Sequence, residues 1–140
     1  MPSRPPVHRA PRSATRQQQR RSTDARRYRE NGELRRWYMR AAWRKRVRPD
    51  HLSSEPLCRI CRVVFDRVEL ATDVHHTEPP TSWEKFLAGP FASLCADHHR
   101  EITAAISHGR RPFHLMRNAD GQPVAPLHDA LWRELGAPTP

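Results

Sequence analysis

Leu94-Cys95-Ala96-Asp97-His98-His99 is the stretch on which the fold turns, because it repeats a spacing already set by Cys58-Arg59-Ile60-Cys61. Each segment carries two metal-binding side chains three positions apart, C-x2-C in one and C-x2-H in the other. Tight turns of that length bring each pair of donors onto one edge of a tetrahedron, and the long interval lets the two edges face each other. Cys58, Cys61, Cys95 and His98 thus form a Cys3His set, a recognised composition for structural Zn2+. Four protein donors close the site, so it is expected to be structural. Binding of such an ion is coupled to folding.

The bulk composition makes a staple of this kind necessary. Hydrophobic residues are 36% of the 140, well below the roughly 45–50% of an ordinary globular domain. Small cores of this kind need a metal or disulfides to stand alone. An odd number of cysteines at metal-ligand spacing points to a reducing compartment, and the cytoplasm is the expected location. The first residues have no apolar run, and no stretch approaches the roughly 20 apolar residues of a membrane span. Neither a secretory leader nor a membrane partner is expected.

Charge divides the chain. Residues 1–49 hold sixteen Lys and Arg against three acids, whereas residues 50–140 are slightly acidic. Arg far outnumbers Lys, which suits bidentate phosphate contact, and a basic arm on a near-neutral body points to a nucleic-acid partner. Residues 1–22, rich in Pro, Arg and Gln without periodicity, are expected to be a disordered basic arm. Residues 23–49 are expected to hold an Arg-rich amphipathic helix. Leu34, Trp37, Tyr38, Ala41 and Ala42 recur on one face, with Asn31-Gly32 as its start and Pro49 as its stop. Arg35, Arg36, Arg40, Arg44 and Lys45 are the candidate phosphate contacts, and the aromatic face is read as core packing.

From Cys61 onward the pattern changes again. The run "RVVFDRVELAT" (62–72) is β-prone and leads into "DVHHTEPP" (73–80). A short helix in the loop follows, with capping-box spacing from Thr81 to Glu84. "FASLC" (91–95) reads as a second strand, and residues 96–108 as a helix terminated by Gly109. Strand, loop, strand, helix make a ββα unit in an α+β domain. Residues 111–140 suggest a hairpin about Asp120-Gly121 and a last short helix.

Zinc leaves three of the four paired histidines unassigned. Neighbours on a helix project about 100° apart, so His99 cannot share the ion of His98 but can face a second site. On a strand, successive side chains point to opposite faces, so one of His75 and His76 can bind a metal while the other acts nearby. Phosphodiester hydrolysis uses such an arrangement: a base deprotonates water on one side of phosphorus, and a Lewis acid stabilises oxygens on the other. Asp73, two residues before His75, is a candidate partner for an imidazole N–H.

"LCRIC", "VHHTEPP" and "SLCADHH" together resemble the HNH endonuclease superfamily, and within it the small zinc-stapled members of bacteriophages and prophages. The likeness covers about Trp43 to Gly109, and the Trp-Arg pair of "AAWRKR" belongs to it. It implies a ββα-metal (HNH, His-Me finger) domain over 50–110, stapled by zinc and preceded by the basic helix and arm. It implies that His76 is the general base, and that His75 and His99 hold a catalytic Mg2+ or Mn2+. It further implies a DNA substrate and a phage role, such as packaging beside a terminase. One departure stands out. The family's middle Asn, which braces the loop behind the base, usually stands five residues before the knuckle Cys, and that position is Pro90. Proline can donate no such hydrogen bond. The alternative function is therefore a degenerate HNH-like zinc domain that binds DNA without cleaving it. A zinc-ribbon-like RNA-binding or ribosome-associated protein is the third, and it leaves His75, His76 and His99 without a task.

Overall fold

The computed structural model describes residues 32–140. The expected arm over 1–22, and residues 23–31 of the expected helix region, lie outside the described residues. The chain divides into two compact units, Met1–Arg36 and Trp37–Pro140. In the first, residues 32–36 are helical, and the Arg36 guanidinium donates to the Gly32 carbonyl at 3.4 Å. Everything below concerns the second.

The second unit begins in helical backbone that bends at Arg40, passes through a π-helical turn (Trp43–Val47) and continues as α1 (Arg48–Ser54). Pro49 does not stop this helix. It falls in the first turn of α1, where a missing N–H costs least. The turn just before it is already widened, with the Arg48 N–H reaching back to the Trp43 carbonyl. Trp37, Tyr38 and Trp43 pack on Phe86 with ring centroids 5.5, 4.8 and 4.8 Å apart. Of the stripe's aromatics, Trp37 is half-buried and Tyr38 exposed, whereas Trp43, outside the stripe, is buried.

The β-prone run after Cys61 is half helix. α2 spans Arg59–Phe65 and ends at Asp66 in the left-handed region, φ +46°. Propensity would place Val63, Val64 and Phe65 in a strand. However, one helical turn puts Cys58 and Cys61 on the same side and buries Ile60, and that tertiary demand outweighs a preference worth tenths of a kcal/mol per residue. The remainder of the run is extended. Leu70 bridges Leu57, and the Cys58 N–H donates to the Glu69 carbonyl at 2.8 Å.

Strand β1 (Asp73–His76) pairs antiparallel with β2 (Phe91–Leu94) in the register Asp73–Leu94, Val74–Ser93, His75–Ala92 and His76–Phe91. Directly paired residues share a face. Asp73, His75, Ala92 and Leu94 thus lie on one side, with Val74, His76, Phe91 and Ser93 on the other. The connecting loop holds α3 (Trp83–Ala88), capped by Ser82, whose hydroxyl accepts from the Lys85 N–H at 3.2 Å. Helix α4 (Ala96–His108) starts at Cys95 and closes on Gly109 at φ +64°.

After α4, Arg117 bridges Pro123 around Gly121, and a 3-10 turn (Ala125–His128) leads into α5 (Asp129–Glu134). Leu131, Trp132, Leu135 and Ala137 join Cys58, Ile60, Cys61, Ala92, Leu94 and Ile102 in one core. The fully buried Trp132 indole N–H finds its acceptor in the Ala125 carbonyl at 2.8 Å. Two of those ten core members, Cys58 and Cys61, are thiols of the Cys3His set, and the half-buried Cys95 packs against the same core. Among the described residues, no helix is long and apolar enough to cross a membrane.

Candidate functional site

Cys58, Cys61, Cys95 and His98 converge, with their donor atoms all within 4.8 Å of one another. The separations can be tested against an ion. Tetrahedral Zn2+, with Zn–S about 2.3 Å and Zn–N about 2.0–2.1 Å, gives S–S edges of about 3.8 Å and S–N edges of about 3.6 Å. The observed edges are Cys61 Sγ–Cys95 Sγ 4.0 Å, Cys58 Sγ–His98 Nδ1 3.5 Å and Cys61 Sγ–His98 Nδ1 3.3 Å. Disulfide sulfurs would be about 2.05 Å apart, and all three cysteines are free. The donor set and its spacing fit zinc.

Burial sets the protonation of these donors when no ion is bound. Burial pushes the Cys61 thiol up to about 12, against the pull of the Arg67 guanidinium beside it. Burial also pushes Cys95 up. Without a cation these groups hold their protons; a cation reverses that preference. Burial, then the Arg67 charge, lowers His98 below the ordinary imidazole range, keeping it in the neutral form that ligates metals. Its ring stacks on Phe65 with centroids 5.2 Å apart, which fixes the ring plane.

Two of the other three paired histidines, His75 and His99, meet at the junction of β1 and α4. The rings of His75 and His99 stand 5.6 Å apart. His99 Nδ1 lies 3.0 Å from Asp73 Oδ2, the kind of imidazole partner anticipated for Asp73. His75 is buried, and its Nε2 lies 2.8 Å from the Leu135 carbonyl oxygen. A carbonyl can only accept, so Nε2 carries the proton and Nδ1 keeps its lone pair. Burial lowers the His75 pKa, partly offset by that carbonyl.

His76 faces the opposite side of the sheet. Its Nε2 donates to the Phe86 carbonyl at 2.9 Å, and its Nδ1 accepts from the Tyr38 hydroxyl at 3.2 Å. Trp43 stacks on the ring at 5.2 Å, with Phe86 at 4.6 Å and Phe91 at 5.1 Å. Burial lowers its pKa, opposed by the Phe86 carbonyl. The ring is thus neutral near pH 7, with its tautomer and plane fixed. Pro90 lies in the same loop, and its carbonyl accepts from the Thr77 N–H at 3.1 Å and the Thr77 hydroxyl at 3.4 Å.

The candidate phosphate contacts are distributed differently. Arg40, Arg44 and Lys45 are exposed along the first helical segment of the unit, with the Arg40 guanidinium 4.5 Å over the Trp83 ring. Arg35 and Arg36, also exposed, belong to the other unit. Sequence reasoning missed the Phe86 and Leu135 carbonyls, which no side-chain pattern encodes. It also missed Tyr38 and Trp43, on either side of the bend at Arg40, as neighbours of His76. No protein-family model, curated protein or solved structure matches the chain.

Proposed function

We propose that the chain is a divalent-metal-dependent DNA endonuclease of HNH type, built on a ββα-metal unit that a zinc ion in the Cys3His set staples together. The observation that carries this is the allocation of imidazole nitrogens. His75 and His99, 5.6 Å apart, each commit one nitrogen to a fixed acceptor, the Leu135 carbonyl and the Asp73 carboxylate. Each has one nitrogen left. Metal-ligating histidines are oriented in this way, by a carbonyl or carboxylate on the far ring nitrogen. Two imidazole donors suit a divalent transition ion such as Mn2+ that keeps several waters better than Mg2+, which prefers oxygen, and the bound ion would supply Lewis-acid stabilisation of phosphate oxygens.

The protein's own groups supply the rest. His76, neutral and held by the Phe86 carbonyl, presents Nδ1 as the proton acceptor for an attacking water. The Tyr38 hydroxyl on that nitrogen gives way to the water when substrate binds. Pro90 cannot donate as an Asn would, yet its carbonyl ties down Thr77, next in the chain to His76, and the Phe86 carbonyl orients the ring. Loop support therefore comes from the backbone. Arg40, Arg44 and Lys45 hold DNA by its phosphates without reading sequence.

One observation favours the second reading, a DNA-binding domain that does not cut: Tyr38 and Trp43 together cover His76. Supercoiled plasmid distinguishes the two. Incubated with purified protein and Mg2+ or Mn2+, it is expected to relax or linearise, and His76→Ala is expected to abolish the product while leaving plasmid binding intact. Binding without cleavage by the wild-type chain in either metal would select the second reading.

A further inference from the structure

We propose that the turn at Leu135-Gly136 is a latch that positions His75, fixing its tautomer and thereby setting the affinity of the His75/His99 pair for a divalent ion. The inference rests on the metal-site reading above and extends it to a segment outside the ββα unit.

The latch is built from three contacts. First, α5 ends at Leu135, whose carbonyl is one of the orphan acceptors that every helix leaves at its C-terminus. The N–H groups of this turn are already spent, Leu135 on Leu131, Gly136 on Arg133 and Ala137 on Trp132. The Leu135 carbonyl takes the buried His75 Nε2–H at 2.8 Å, sixty residues away in the chain. Second, Trp132 and Leu135 before that carbonyl are wholly buried and Ala137 after it is buried, which anchors the turn in the core on both sides. Third, Gly136 sits at φ +76° directly against the end of β1. A Cβ there would stand 2.3 Å from the Thr77 carbonyl oxygen. Only glycine permits both that backbone conformation and that approach.

These contacts decide a chemical question. A neutral imidazole can place its proton on either nitrogen, and only the one without it can ligate. With the Leu135 carbonyl at Nε2, the proton stays there and the Nδ1 lone pair is available. If the turn moves away, the ring loses its orientation and its tautomer preference together. The C-terminal segment thus acts on metal affinity without touching the metal. Leu135 is a positioning residue, acting through its backbone.

The test uses the full chain with its zinc bound and Mn2+ as the probe, followed by the electron paramagnetic resonance signal of free Mn2+. Gly136→Ala should force the turn off Thr77 and weaken Mn2+ binding by about 10- to 100-fold, the usual cost of losing such a partner, with zinc content unchanged. In parallel, nitrogen-15 spectra of the Mn2+-free wild type report the tautomer of His75, and protonated Nε2 is expected. Mn2+ affinity within twofold of wild type in Gly136→Ala would overturn the latch alone. So would an Nδ1–H tautomer in the wild type, whether or not the variant folds. A wild-type chain that takes up no Mn2+ would overturn the metal-site reading and the latch together.

Discussion

Replacing Cys58 with serine removes one corner of the Cys3His set and little else, because Ser keeps the shape of Cys with a smaller oxygen in place of the sulfur. Cys58 itself is fully buried, and exchanging its sulfur for oxygen leaves a gap smaller than a methyl group. The consequence is set by comparing two energies. A domain the size of the Trp37–Pro140 unit has a net stability of about 5–15 kcal/mol. Structural zinc in small domains contributes an apparent ~10–16 kcal/mol at neutral pH. Here two of the ten core members are themselves thiol ligands, so the core cannot close without its ligands coming together. Loss of the ion should therefore exceed the whole margin. Wild-type protein is expected to carry one zinc per chain and to melt cooperatively in circular dichroism. Cys58→Ser should carry none and show no cooperative transition and no near-ultraviolet signal at 25 °C. A zinc-free Cys58→Ser chain that still melts cooperatively within a few degrees of wild type would refute the reasoning.

Two further predictions follow from charge. Zinc binds thiolates, and burial pushes the Cys61 and Cys95 thiols up, so these two hold their protons until zinc displaces them and zinc affinity rises with pH. His98, held below its usual 6.5 by burial, adds no proton above that value. Affinity should climb about a hundredfold per pH unit between 6.5 and 8 from those two thiols, measured by competition with a chelator of known pH dependence, and a slope near zero would show that their thiolates are already formed. Deleting residues 1–22 removes six arginines. It should weaken DNA binding and reduce the slope of log affinity against log salt by up to about 5, whereas an unchanged slope would show that this arm touches no phosphates.

The parts of the site that were legible in the sequence are those that side chains specify over short spacings. The x2 intervals around Cys58 and Cys95, the glycine stop at Gly109 and the i, i+3, i+4 aromatic stripe all survive in the structure because each is enforced within a turn or two. The failures share a different cause. Val63 to Phe65 are helical because two thiols must face one way. Pro49 sits within a helix because a widened turn precedes it. The acceptors that orient His75 and His76 are backbone carbonyls, and one of them is sixty residues distant. A carbonyl is present at every position, so sequence gives no sign of which one a fold will use.

The widened turn at Trp43–Val47 sets where this protein tolerates a change in helix length. An α-helix advances about 100° per residue, and a π turn accommodates one residue beyond the regular count. Deleting a single residue there would turn the wide turn into an ordinary one and leave the faces on either side of it nearly in place. Adding or removing a residue between Tyr38 and Trp43, outside the wide turn, would instead swing Tyr38 by about 100° around the axis. Tyr38 would then leave the Phe86 and His76 rings that it now meets.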